Sequence, residues 1–325
     1  MPKRGPGWSL GFGRAGVSIT TPRTPIRAGT GYEYLTRSVA AGDGDRLAAD
    51  VLTRYYDQAG TPPGRWLGSG LAGLGSANGA GPGLRVGDRV SEEQMGRLFG
   101  MGHDPVTGEV LSRTFSAPDE SGLSRSRAGF DLTFQIPKSA SALWAIADAG
   151  VQALIVRAHH EAITETLAFL EREVLMTRAG RAGVAQLETR GLVAAAFDHF
   201  DSRAGDPHLH THVVVANRVQ GVDGKWRTLD SRALYRAVEA LSRTHSALFA
   251  DRLAQILPVE WTIPTARKRE LGEVEIAGVP AQLREVFSQR RLAIVAARQD
   301  AHEEFVRAHG RAPSQRESRA LRGSW

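Results

Sequence analysis

The sequence predicts a mixed α+β fold built around antiparallel strands, and three stretches carry that expectation. Two apolar runs, Leu192–Phe197 and Val213–Ala216, flank a loop of turn-forming residues, Asp201 to Pro207, as in a pair of neighbouring antiparallel strands. Asp131–Ile136 alternates strictly, with Leu132, Phe134 and Ile136 on one face and Asp131, Thr133 and Gln135 on the other. Residues 148–176 place Val151, Leu154, Ile155, Ala158, Ala162, Ile163, Leu167, Leu170 and Val174 on one stripe at helical spacing.

In chain order, residues 1–30 are rich in Gly, Pro, Thr and Arg, with one short candidate strand at Val17–Ile19. Gly31–Val39 can open a helix, and residues 67–88 hold so many small residues that no regular element is assigned. Ser91 followed by Gln94 is a capping box that starts a helix through Phe99, ended by Gly100. Ser116 to Arg127 reads as a polar loop, and Pro137 ends the strand that follows it. His159 and His160 lie beside the apolar stripe of the long helix and read as surface residues. After the second apolar run, Gly221–Gly224 is a turn and Trp226–Leu229 a returning strand. Residues 231–256 are helical by spacing, strands follow at 259–263 and 273–276, and an arginine-bearing helix extends from Pro280 to His309. Ser314 and Glu317 form a second capping box.

Composition narrows the function classes. The chain has 325 residues, 42% of them hydrophobic, enough for a substantial core. Cysteine is absent, so disulfides and thiolate metal sites are excluded. No apolar run spans a bilayer and the start has no signal-peptide core, so the expectation is a cytoplasmic protein without membrane insertion. The net charge of +6 leans towards an anionic partner. Residues 1–40 carry Lys3, Arg4, Arg14, Arg23, Arg27 and Arg37 against the single acid Glu33, a distribution suited to phosphate contacts.

The strongest chemical signal is the histidine stretch Phe197–Asn217. His210 and His212 are two apart on a strand and point the same way. His199 ends the preceding apolar run, so antiparallel pairing brings three imidazoles to one face. Three neutral imidazoles with an open position make a catalytic metal centre rather than a closed structural one. His208 shares that face by parity and is an alternative third ligand if the register shifts. Asp131, on the polar face of its strand, is a candidate partner for a ligand imidazole, fixing its tautomer, or a general base. The chain holds five tyrosines: Tyr32 and Tyr34, the adjacent Tyr55 and Tyr56, and Tyr235. Two N-terminal pairs beside a metal site point to phosphoryl transfer by a phenolic nucleophile.

At these residues the sequence resembles the relaxases of the F-type conjugative class (MobF), the N-terminal part of relaxase–helicase proteins. The matching segments are Tyr55–Gly70, Leu98–Gly108, Phe130–Ser139, the His199–His212 stretch, Trp226–Tyr235 and Glu275–Pro280, in family order. The segment Phe-Asp-His followed by Asp-Pro-His-Leu-His-Thr-His is the most specific. The resemblance implies an HUH-endonuclease relaxase fold, with a central antiparallel sheet, flanking helices and a helical region that clamps single-stranded DNA. It also implies an enzyme that nicks one strand at a plasmid origin of transfer through a 5′-phosphotyrosyl link and later rejoins it. His199, His210 and His212 would hold a divalent metal ion, Mg²⁺ or Mn²⁺, with Zn²⁺ and Ni²⁺ as alternatives. Asp131 would lie beside metal and tyrosine. Tyr34 or Tyr32 would be the first nucleophile, and Tyr55 and Tyr56 the second pair. The first pair, adjacent in the family, is split here by Glu33, and Tyr34-Leu35 aligns best.

The partners expected are single-stranded DNA at the origin, accessory relaxosome proteins and a type IV secretion coupling protein. The organisation expected is a flexible basic arm over 1–30, the relaxase domain over 31–312, and the start of a truncated helix over 313–325. No phosphate-loop motif occurs, so no helicase region is expected in this chain. A rolling-circle replication initiator of the HUH type and a DNA-binding module without catalysis are the alternatives.

Overall fold

The computed structural model describes residues 16–19, 26–33, 35, 64–75, 83–117, 119–120, 122–202, 204–263, 274–314 and 316–318. In chain order the elements are β1 (Gly16–Ile19), β2 (Ile26–Gly29), β3 (Arg65–Leu67), α1 (Glu92–Met95), β4 (Leu123–Gln135), α2 (Lys138–Ile146) and α3 (Ala149–Glu173). Next come β5 (Met176–Ala179), β6 (Ala185–Glu188), β7 (Ala194–Asp201), β8 (Pro207–Ala216), β9 (Val219–Gln220), β10 (Trp226–Arg227) and α4 (Ser231–Ile256). The chain continues through β11 (Trp261–Thr262), β12 (Glu275–Ile276), α5 (Ala281–Val286) and α6 (Gln289–His309).

A six-stranded sheet runs in the order β1-β4-β8-β7-β3, and β2 joins the outer edge of β4 beside β1. The pairings are antiparallel. Alternation of side chains sorts the long strands onto two faces. On the back face Phe130, Leu132, Phe134, Ala194, Ala196, Val213 and Val215 pack with Ile163, Leu167 and Leu170 of α3 and Leu234 and Leu241 of α4. On the front face Ala195, Phe197, Val214 and Ala216 pack with Ile26, Trp66, Met95, Leu98 and Phe99. Each of these large side chains gains ~1.5–3 kcal/mol from leaving water. The central strands β7 and β8 are therefore largely apolar on both faces, the histidines on the front and Asp198 and Thr211 on the back being buried polar exceptions.

Several helix ends follow from local chemistry. Asp148 caps α3, accepting from the amides of Gly150 (2.8 Å) and Val151 (3.0 Å). Asp230 caps α4, accepting from Arg232 at 3.2 Å. The capping box at Ser91 and Gln94 is closed in both directions, and α1 runs on as a π-helical turn from Gly96 to Met101. Its end is the left-handed Gly102 (φ 77°) rather than Gly100. Gly68 (φ 101°) lets the chain turn behind β3, where a Cβ would come 2.2 Å from the Leu192 carbonyl oxygen.

The structure departs from the sequence reading at particular elements. β4 begins at Leu123, inside the stretch read as a polar loop, because β2 pairs with its polar half and supplies hydrogen bonds that need no apolar alternation. The sheet also takes in residues 16–19 and 26–29, ahead of the boundary expected at residue 31. The helix expected from 280 to 309 is two helices, broken at Phe287 and Ser288. Residues 67–88 include a 3₁₀ turn at Ser69–Gly73. His159, read as a surface residue, is fully buried. Residues 231–256 form a helix with the expected bounds, and the Ser314–Glu317 capping box is present, with amide–side-chain distances of 2.8 and 3.3 Å. Among the described residues no helix is long and apolar enough to cross a membrane.

Candidate metal centre and active site

The antiparallel register of β7 and β8 sets His199 opposite His210 and Phe197 opposite His212. On the other side of β8, Thr133 lies opposite His212 and Gln135 opposite His210. Strand parity then delivers all three imidazoles to the front face, where β4 contributes Asp131. Ring centroids are 5.1 Å apart for His199 and His210, 4.8 Å for His199 and His212, and 5.2 Å for His210 and His212. Among the described residues this is the one group of histidines and acids whose donor atoms lie mutually within 4.8 Å, enough to hold a metal ion. His199 and His210 are buried, and His212 is only slightly exposed.

The hydrogen bonds orient the rings. His212 Nδ1 donates to Asp131 Oδ2 at 2.7 Å, with Thr133 Oγ1 a further 3.4 Å neighbour. His210 Nδ1 donates to the His208 carbonyl at 2.7 Å. A carbonyl or carboxylate can only accept, so in both neutral rings Nδ1 carries the proton and Nε2 is left with a lone pair. Carboxylate and carbonyl partners of this kind hold a metal-ligating imidazole in one tautomer and one orientation. The donor set therefore fits a divalent ion bound through imidazole nitrogens. His208 shares the face, its ring 4.7 Å from that of His210. It lies outside the three-histidine group, and the contribution it is seen to make is its backbone carbonyl.

Around the site, the loop between β7 and β8 is tied down. Ser202 Oγ bonds Asp206 Oδ2 at 3.2 Å, and the Asp206 carboxylate accepts from the amides of Gln289 and Arg290, both at 2.9 Å. Asp206 thus caps the arginine-bearing α6 instead of joining the metal group. Lys138, three residues past the strand of Asp131, donates through Nζ to the Pro207 carbonyl at 2.8 Å. Burial pulls its ammonium down to about 8, against the opposing pull of Asp206 and Glu275.

Of the tyrosines expected to act, Tyr34, Tyr55 and Tyr56 lie outside the described residues. Tyr32 is buried in the front core with Leu98 and Phe99. A Cβ on Gly96 would come 3.1 Å from its hydroxyl, so Tyr32 lies against the π-helical turn. Burial, with Glu33 and Glu92 adding repulsion, makes that phenol harder to ionise than usual. Its surroundings are those of a packing side chain.

Directly behind the histidines is a polar group that sequence reasoning missed. Asp198 is buried on the back face, where Arg65 Nη1 reaches it at 2.6 Å, His160 Nε2 at 3.0 Å and the Thr211 hydroxyl at 2.6 Å. Burial opposes its ionisation, but His160 and Arg65 outweigh that and hold its carboxyl well below the usual carboxylate range. His159 Nε2 lies 3.0 Å from Thr211 Oγ1, and His245 Nε2 lies 3.3 Å from His159 Nδ1. Burial keeps both of these imidazoles neutral, lowering His159 well below its ordinary value, helped by the neighbouring His245 and His160, and His245 to about 3. The signal was present in parity. Asp198 and Thr211 fall on the face opposite the histidines, where the other residues of β7 and β8 are apolar, and buried polar groups there must find partners.

An antiparallel sheet with helices behind it, three histidines converging on its front and an acid fixing one of them, defines an α+β protein with a candidate catalytic metal centre. The chain belongs to the TrwC relaxase family, whose sequence model matches residues 28–324. It is 34% identical over 213 residues to the multifunctional conjugation protein TraI of Escherichia coli strain K12, and 36% identical over 144 residues to a second Escherichia coli TraI. Those matches cover 62% and 43% of this chain but only 12% and 8% of the relatives' own length. The fold is similar to solved structures of the conjugative relaxase TrwC in complex with oriT DNA. A copper-bound structure and a metal-bound structure each superpose with a TM-score of 0.63, at 24% and 25% identity, covering 94% of this chain and 89% of theirs. A TrwC complex with a 27-mer DNA comprising the recognition hairpin and the cleavage site gives a TM-score of 0.60 at 24% identity. The central antiparallel sheet expected of a relaxase fold is thus observed.

Proposed function

We propose that the chain is the nicking–joining domain of a conjugative relaxase, acting on one DNA strand at an origin of transfer by metal-assisted tyrosine transesterification. The observation that carries this reading is the front-face cluster of His199, His210 and His212 with Asp131 bonded to His212. Membership of the TrwC relaxase family supplies the class of substrate.

In this reading His199 with His210 Nε2 and His212 Nε2 would hold a divalent ion, which when bound would supply positive charge to the non-bridging oxygens of the scissile phosphate. Asp131 keeps His212 in the productive tautomer and offsets part of the local positive charge. A tyrosine hydroxyl, Tyr34 by alignment, gives up its proton and attacks phosphorus. The bond to the 3′-oxygen breaks, that oxygen leaves as a 3′-hydroxyl after taking a proton, and the 5′-phosphate remains on the tyrosine. Tyr55 or Tyr56 would attack a second scissile phosphate in the same way, and the 3′-hydroxyl so released would attack the phosphate on Tyr34, breaking its bond to the phenol oxygen, which takes the proton, and rejoining the strand. The proposed partners are single-stranded origin DNA, accessory proteins bound nearby and a secretion coupling protein.

The test is incubation with single-stranded origin oligonucleotides and Mn²⁺ or Mg²⁺, followed by denaturing electrophoresis. Wild-type protein is expected to give an SDS-resistant protein–DNA band that His210→Ala and chelation abolish. DNA binding without any such band would instead favour a binding module.

A further inference from the structure

We propose that the buried chain behind the sheet, His245–His159–Thr211–Asp198 with Arg65 and His160, is a positioning network for the three front-face histidines. The inference rests on the metal reading above and adds residues that lie on the opposite face of the sheet from the ion's ligands.

The register carries it. Three successive rungs of the β7–β8 ladder pair Phe197 with His212, Asp198 with Thr211, and His199 with His210. The outer two rungs hold the metal-facing histidines on the front. The middle rung is bridged on the back by the Thr211 hydroxyl and Asp198 Oδ1 at 2.6 Å, a cross-strand bond between residues that are each next in sequence to a ligand. A one-residue slip of this pair would put His199 on the opposite face from His210 and His212, and a local splay would separate His199 from both.

The network fixes that rung from three further elements. Arg65 on the edge strand β3 and His160 on α3 both reach Asp198 Oδ2, at 2.6 and 3.0 Å. Thr211 donates its one hydroxyl proton to Asp198, so it accepts from His159 Nε2–H at 3.0 Å. His159 Nδ1 then accepts from His245 Nε2–H on α4, at 3.3 Å. The donors all run one way, towards the Asp198 carboxylate, so each bond polarises the next. His159, Thr211 and His245 are fully excluded from solvent, which makes a broken link costly and the geometry stiff.

Thr211→Val tests this cleanly, because it keeps the shape and strand preference of the side chain and removes only the hydroxyl. Thr211→Ser keeps the hydroxyl. Co²⁺ is the probe, read by titration and by the visible absorption of the bound ion, with circular dichroism confirming the fold. Thr211→Val is expected to weaken Co²⁺ binding by about tenfold or more, as loss of supporting contacts does at other metal sites. It is also expected to change the ligand-field spectrum, and Thr211→Ser to restore both. Wild-type affinity and spectrum in a folded Thr211→Val protein would overturn the proposal and leave the network a brace of the fold alone. If Thr211→Val does not fold, His160→Gln, on a half-exposed helix position, is read by the same two criteria. A wild-type protein that binds no Co²⁺ would instead refute the metal reading itself.

Discussion

Replacing Asp131 with Asn tests how much of the metal centre depends on one hydrogen bond. The substitution preserves the size of a side chain that is 2% exposed, and removes the charge that His212 Nδ1 meets at 2.7 Å. A hydrogen bond to a charged group contributes roughly 1.5–3 kcal/mol, and each 1.4 kcal/mol is about a factor of ten in an equilibrium constant. The Asn carbonyl can still accept from Nδ1, so the neutral bond that remains places the expected loss at the lower end, roughly 10–30-fold in divalent-metal affinity. The assay is calorimetric titration of Mn²⁺ or Co²⁺ into metal-free protein, with a thermal melt to confirm that the fold is intact. Nicking should slow in parallel and recover partly at high metal concentration. Wild-type metal affinity in folded Asp131→Asn would refute the account of Asp131 as the group that fixes His212.

Two further outcomes are expected. His208→Ala should leave metal affinity within about twofold of wild type, since the hydrogen bond that orients His210 goes to the backbone carbonyl of that residue, whereas His210→Ala should abolish binding; comparable losses in both would return His208 to the ligand set. Acid should destabilise the fold before the carboxylates titrate. His245 has a folded-state value of about 3 and His159 is also depressed, both below the ordinary 6.5, so their contribution is complete above pH 6.5 and falls as pH drops towards the folded value. Each such histidine gives a slope of about 1.4 kcal/mol per pH unit in that window. Melts of metal-free protein between pH 6.5 and 4.5 should show this decline, and His245→Leu should reduce its slope by roughly half; an unchanged slope would contradict the buried neutral assignment.

Much of the site was legible because strand parity is a strict rule. His199, His210 and His212 converge from their spacing and a turn-rich loop alone, whereas the alternation of Leu132, Phe134 and Ile136 put Asp131 on the polar face of its strand and the pairing of β4 with β8 makes that the histidines' face. The helix at 231–256 was legible for a similar reason, with apolar residues at helical spacing throughout. What stayed hidden depends on contacts distant in sequence. The polar half of β4 has no apolar alternation, and only its pairing with β2 makes it a strand. His159 looked like a surface residue because imidazole counts as polar in a helical stripe, yet Thr211 on β8 and His245 on α4 satisfy both of its nitrogens. The break at Phe287–Ser288 follows from Asp206, 83 and 84 residues before the amides it caps. Resemblance to the F-type relaxases supplied the DNA substrate and the choice among the tyrosines, which spacing could not.

The central claim is that a tyrosine of this chain takes the 5′-phosphate of a cut strand, with the three histidines supporting the step. It is tested most directly by trypsin digestion of protein incubated with single-stranded origin DNA and metal, followed by mass spectrometry. Cleavage after arginine separates Tyr32 and Tyr34, in residues 28–37, from Tyr55 and Tyr56, in residues 55–65. The account predicts a phosphotyrosyl nucleotide on Tyr34 in the first peptide, absent from His210→Ala protein. Cut DNA bearing a free 5′-phosphate, with no nucleotide on any tyrosine, would show that water is the nucleophile and contradict it.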